Sequence, residues 1–148
     1  MLEKKRVFTR KRALLLLFIC AAVLLALILL RWRANAQYNV STLEGRQKFL
    51  TELGWETDAA SEEYKSVVIP DSLEGIMKEY NEMQLKQGYD LGAHLGESCG
   101  QYSYRLTNYP GEGTVLVTLY IQGRTVIAGD IHTSSINGFM HGIKRGGG

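Results

Sequence analysis

Residues Tyr102 to Ile131 read YSYRLTNYPGEGTVLVTLYIQGRTVIAGDI, and three strands separated by two tight turns run through them. Tyr102, Tyr104 and Leu106 alternate with Ser103, Arg105 and Thr107, the two-residue period of a strand with one face toward a core. In Tyr109-Pro110-Gly111, proline and glycine fit the second and third positions of a type II turn. Val115, Val117, Leu119 and Ile121 then form an apolar face against Thr114, Leu116, Thr118 and Tyr120. Gln122-Gly123 is a short hairpin connection, and Arg124 to Ile131 returns as the last strand. Connections this short join antiparallel neighbours.

Upstream, the period changes. Leu43, Phe49, Leu50 and Leu53 share one stripe at helical spacing, with Ser41-Thr42-Leu43-Glu44 as a capping box and Gly54-Trp55 as the ending. Glu56 to Glu63 is acidic and reads as a loop, followed by a strand over Tyr64–Ile69 that Pro70 stops. Asp71-Ser72-Leu73-Glu74 repeats the capping box, Leu73, Ile76, Met77, Tyr80 and Met83 follow at helical spacing, and Gly88-Tyr89 repeats the ending. Asp90 to Glu97 reads as an irregular segment anchored by Leu91 and Leu95. The expected fold is α+β, in the order α-β-α-β-β-β. Two helices pack on one face of a roughly four-stranded, mainly antiparallel sheet, within a domain spanning 42–145 and followed by a flexible Gly146–Gly148 tail.

The N-terminal end has a different character. Ala13 to Leu30 is eighteen uncharged residues, a length that nearly matches the hydrocarbon core of a bilayer when helical. Residues 1–36 hold eight basic groups and one acid, and 37–148 hold nine basic groups and fourteen acids. The formal net charge of +2 is thus the residue of a basic N-terminus and an acidic remainder. Six of the basic groups precede the apolar run and two follow it, which places the N-terminus in the cytoplasm. The expected organisation is a basic cytoplasmic segment (1–12), a transmembrane helix (13–30), a linker (31–41) and an extracytoplasmic domain at the cell membrane. The competing expectation is cleavage after Ala36, since Ala34-Asn35-Ala36 has small-x-small form, although the apolar run is longer than a signal peptide needs. An acidic outer domain excludes nucleic acid as a partner, because phosphate neutralisation supplies most of that affinity.

Chemistry-bearing residues are sparse. Asp130 and His132, two apart on a strand, share a face, and His141 could fold back to them as a third metal ligand. The spacing lacks the tight helical repeat of known zinc motifs, so no metal or cofactor is assigned. Ser134 or Ser135 with His141 and Asp130 supplies the residue types of a catalytic triad without any nucleophile-elbow motif around the serine. No catalytic residue is assigned, and the chain reads as a non-enzyme. Cys20 lies in the apolar run and Cys99 in the outer domain, where it reads as a buried apolar residue. Tyr102, Tyr104, Tyr109 and Tyr120 lie on the expected sheet and are the candidate interaction surface, since tyrosine is common where proteins meet. The expected function is a protein or peptide interaction module at the cell envelope, with a small-ligand or metal sensor and an envelope-directed hydrolase as alternatives.

Phe49-Leu50 with Gly54-Trp55, Val68-Ile69-Pro70, Tyr80-Asn81-Glu82-Met83-Gln84 and Gln87-Gly88-Tyr89-Asp90-Leu91 follow one another along the chain. Tyr102-Ser103-Tyr104, Asn108-Tyr109-Pro110, Gly129-Asp130-Ile131 and Gly138-Phe139-Met140-His141-Gly142 continue the series. In this order and spacing, between Arg46 and Gly142, the outer domain resembles a bacterial family known only as domain of unknown function 4830. The resemblance implies a bacterial membrane protein with an extracytoplasmic domain. It implies no activity and transfers no site residue.

Overall fold

A computed structural model describes residues 3–36, 39–111, 113–135 and 137–144. The chain divides into two compact units, Met1–Gln37 and Tyr38–Gly148. In the first, helix α1 (Glu3–Ala36) extends beyond the apolar run at both ends, so the expected linker is helical as far as Ala36. Arg12–Leu29 is long and apolar enough to cross a membrane, a property that anchors and signal sequences share. The Gly146–Gly148 tail lies outside the described residues.

The second unit is α+β. Helix α2 (Leu43–Glu52) is followed by β1 (Thr57–Val68), α3 (Ile76–Gln87), a single 3-10 turn (Leu91–His94), β2 (Ser98–Leu106), β3 (Val115–Gln122), β4 (Thr125–Thr133) and β5 (Met140–Gly142). The strands form an antiparallel meander in the order β1-β2-β3-β4-β5. The sheet therefore has one strand more than expected. The additional strand is the short β5, which pairs Asp130 with Gly142 and His132 with Met140.

Local signals placed the helix endings better than their beginnings. Gly54 takes φ 85° and Gly88 φ 86°, and each lets the next residue's N–H reach back to close the helix, Trp55 to Leu50 O and Tyr89 to Gln84 O. At the start of α2 the cap is Thr42, whose hydroxyl accepts from Gly45 N–H, while Ser41 bonds Asn39 instead. The second capping box does not form: α3 starts only at Ile76, after Gly75, with no side-chain cap. The acidic stretch expected to be a loop belongs to β1. Thr57 and Asp58 pair with Leu106 and Arg105, the ladder slips, and regular pairing resumes at Glu63. Pairing to β2, rather than any apolar pattern of its own, makes this segment a strand.

The two helices lie on opposite faces of the sheet, not on one. Tyr104, Leu106, Val115, Val117, Leu119, Ile121 and Ile131 pack with Leu50 and Trp55 of the α2 region. The alternate residues Cys99 and Tyr120, with Ala128, pack with Ile69 and Leu91 and with Met77 and Tyr80 of α3. Both faces are apolar enough to bury, so each acquires its own helix. Leu95, expected to anchor the segment after α3, is exposed, and Leu91 alone is buried there.

The inner face of α3 is polar. Asn81, Gln84 and Gln87 are buried, whereas Ile76 and Leu85 are exposed. The reason is the edge of β4. Gln84 accepts from Gly129 N–H at 3.0 Å and donates to Gly129 O at 3.1 Å, as a neighbouring strand would. Gln87 also donates to Gly129 O at 3.1 Å and accepts from Ile143 N–H at 2.7 Å. Asn81 accepts from Leu91 N–H at 2.8 Å. Buried backbone groups must find partners, and here carboxamides supply them where β5 ends. Gly142 permits this approach, because a Cβ there would collide with the Gln87 carboxamide.

Gln84→Ala should therefore destabilise the domain by about 1–3 kcal/mol, the cost of unpaired buried groups. Glu82→Ala, on the exposed face of the same helix, should stay within about 0.5 kcal/mol of wild type. Urea denaturation followed by far-UV circular dichroism compares them, and equal midpoints would remove the proposed role of the glutamine.

Candidate functional site

Three polar or aromatic clusters and one open edge are the places where chemistry or recognition could occur. The first lies beneath α3. Asp130, 2% exposed, receives the Tyr80 hydroxyl on Oδ2 and His132 Nδ1 on Oδ1, both at 2.7 Å. The two-residue repeat of β4 puts Asp130 and His132 on one face, as the sequence indicated. The hydrogen bond to Asp130 raises the His132 pKa, against the opposing effect of burial. Burial, with Asp130 close by, pushes the Tyr80 hydroxyl far above its ordinary range and Tyr120 up to about 12, so both stay protonated. Both Asp130 oxygens thus already hold donors.

His141 does not join them. It pairs across the sheet with Ile131, the neighbour of Asp130, and so faces the α2 side. There its Nε2 meets the Tyr109 hydroxyl at 2.8 Å, and its ring stacks with Phe139 and Tyr109. The candidate metal set Asp130, His132 and His141 is therefore split between two faces. Among the described residues no three His, Cys, Asp or Glu side chains are placed to hold a metal ion. The same separation removes the triad of Ser134 or Ser135 with His141 and Asp130: both serines are exposed, and Asp130 is engaged by a different histidine.

The second cluster is buried under α2. Arg46 is 4% exposed, and its guanidinium donates to Tyr104 Oη at 2.5 Å, to Val40 O at 3.1 Å and to Glu62 at 2.7 Å. The Tyr104 hydroxyl also donates to Glu62. Burial alone would raise the Glu62 pKa, but hydrogen bonds from Tyr104 and Arg46 outweigh it and hold the carboxyl below its ordinary value. With every member paired, this is a structural tie between α2, β1 and β2. The third cluster stacks Trp55, Tyr109, Phe139 and His141. Its Trp55 indole donates to Ile143 O at 2.6 Å.

The four tyrosines expected to form an interaction surface do not form one. Tyr104 is fully buried and Tyr120 packs under α3. Tyr102 is half-buried beneath the Arg46 guanidinium, and Tyr109 is half-buried in the aromatic stack. They divide between faces because even-numbered residues of β2 point toward α2, whereas on β3 the odd-numbered ones do. Cys99 is buried as expected, and burial raises its thiol pKa.

Sequence reading placed the second half of β1, as a strand over Tyr64–Ile69, but read its first half as a loop and missed its position at the edge. β1 is the terminal strand on one side of the sheet, and its Tyr64 and Val68 are 58% and 63% exposed. Tyr64 packs on Tyr102 at 5.0 Å, extending the aromatic surface to the edge. The available signal was the Tyr64-to-Val68 stretch itself, whose strand character was legible but whose place at the edge was not. No family model matches the chain, and neither a curated protein nor a solved structure shows significant similarity to it.

The His132 shift predicts a titration. A raised folded-state pKa contributes stability that is complete below about pH 6.5, the ordinary histidine value, and is lost as pH rises through the folded pKa. NMR should place the His132 midpoint above the ordinary histidine value and lower it in Asp130→Asn. An unchanged midpoint in the variant would rule out Asp130 as the cause.

Proposed function

We propose that the chain is a single-pass membrane protein with a cytoplasmic N-terminus. Its extracytoplasmic domain would be a non-enzymatic interaction module that takes a protein or peptide strand at the open edge of β1. The observation that carries this reading is the contrast between the two edges of the sheet. The β4 side is closed by β5 and the α3 glutamines. The β1 side is a twelve-residue strand with exposed Tyr64, Lys65, Ser66 and Val68. An edge of this kind offers unpaired backbone groups for strand addition, and alternate side chains supply selectivity.

The anchor reading is supported by α1, long and apolar enough to span a bilayer, and by the excess of basic residues before its apolar run. The resemblance to the domain of unknown function 4830 family, carried by residues of the same domain, fits a bacterial envelope location. Retention of α1 distinguishes this reading from release after Ala36.

A photo-crosslinking residue at Val68 of the full-length chain, in its native membrane, should give discrete protein adducts. The same probe at Glu82 on exposed α3 should give few. Equal labelling from both positions would overturn β1 as the docking surface.

A further inference from the structure

We infer that the strand taken up by the β1 edge is the β1 of a second copy of this chain, antiparallel to the first and related to it by a two-fold axis at Tyr64. This rests on the reading of the β1 edge as the docking surface and names its occupant.

Backbone parity comes first. Ile69 N–H donates to Glu97 O at 2.9 Å and Ile69 O accepts from Gly96 N–H at 3.0 Å, so both its backbone groups point inward to the β2 side. Pairing with β2 runs without a slip from Glu63 to Val68. By the two-residue repeat of an antiparallel ladder, Tyr64, Ser66 and Val68 then direct their backbone groups outward. A second β1 centred on Tyr64 would exchange both backbone hydrogen bonds between the two Tyr64 residues.

Charge selects the register. Glu63 and Lys65 are exposed, and neither has an ion-pair partner among the described residues. With the axis at Tyr64, Glu63 of each copy lies directly opposite Lys65 of the other, giving two opposite-charge pairs by symmetry. Moving the axis one residue either way sets Lys65 against Lys65 or Glu63 against Glu63. Like charges directly opposite are destabilising, so the same two residues favour one register and oppose its neighbours. On the α2 face, the two Tyr64 rings would meet at the axis and join the Tyr64–Tyr102 pairs into one aromatic stripe. The slip between Asp58 and Glu63 ends the regular ladder and keeps the pairing short.

The test uses the full-length chain in its native membrane, with Cys20→Ser removing the exposed native thiol. In a hydrogen-bonded antiparallel pair the Cα atoms are about 5.5 Å apart, within disulfide reach. Tyr64→Cys should therefore oxidise to a covalent dimer. Ser66→Cys should not, because its own counterpart would be displaced by four residues, roughly 13 Å along the strand. In the Tyr64→Cys background, Lys65→Glu or Glu63→Lys should each lower the dimer about tenfold, and the double swap should restore it. Restoration assigns the loss to the charge pairing, and an unchanged far-UV circular dichroism spectrum of each purified single variant shows that it folds. A dimer indifferent to the charge swaps, or equal dimer from Ser66→Cys, would overturn the two-fold pairing. Heterologous adducts from Val68 without a Tyr64→Cys dimer would overturn self-pairing and leave the interaction module standing. Absence of both would remove both readings.

Discussion

Gly129 determines how this sheet ends. Its N–H and C=O lie on the outer side of β4, beyond the reach of the three-residue β5, and they meet the carboxamides of Gln84 and Gln87. An unpaired buried amide is too costly to leave. Two glutamines of α3 therefore stand in for a strand, and the requirement propagates. It turns the polar face of α3 inward, leaves Ile76 and Leu85 exposed, and makes Gly142 necessary for the close approach. With that stretch closed, β1 is the long open edge among the described residues, and the functional reading starts from it.

A second constraint comes from a buried cation. Arg46 on α2 is surrounded by Tyr104, Glu62 and the Val40 carbonyl, and each of the three guanidinium nitrogens has a partner. A charge this deeply buried is tolerable only when paired and hydrogen-bonded. The network binds the segment before α2, α2 itself, β1 and β2 into one unit. It also fixes Glu62 beside the slip in β1, so the irregular half of the edge strand is tied down while Glu63 to Val68 remains regular and accessible. Asp130 performs a comparable service on the other face, joining Tyr80 of α3 to His132 of β4. The polar groups that look most like chemistry in this domain are thus largely spent on holding its layers together.

Much was legible along the chain. The alternation of Val115, Val117, Leu119 and Ile121 placed β3, since a strand's two-residue period reads directly from sequence. Gly54-Trp55 and Gly88-Tyr89 marked two helix ends, because a left-handed residue followed by a back-reaching N–H is a local device. The start of α3 was not legible: a capping box is only one of several uses for Asp71 and Ser72, and the chain takes another path to Gly75. Nor was the inner face of α3, because a helix searched by apolar spacing conceals a buried stripe of amides. Nor was the burial of Arg46, which no local pattern marks.

The sequence by itself determined the apolar length of α1, the strand-rich C-terminal half, the antiparallel connections and the burial of Cys99. All of these depend on neighbours a few residues apart or on composition. Tertiary structure decided which side of the sheet each helix covers, that His141 lies away from Asp130, that the tyrosines separate between faces and that β1 is an open edge. Each of these depends on register between strands distant in sequence. A shift of one residue exchanges the two faces of a strand, so none can be read from the chain before the strands are paired.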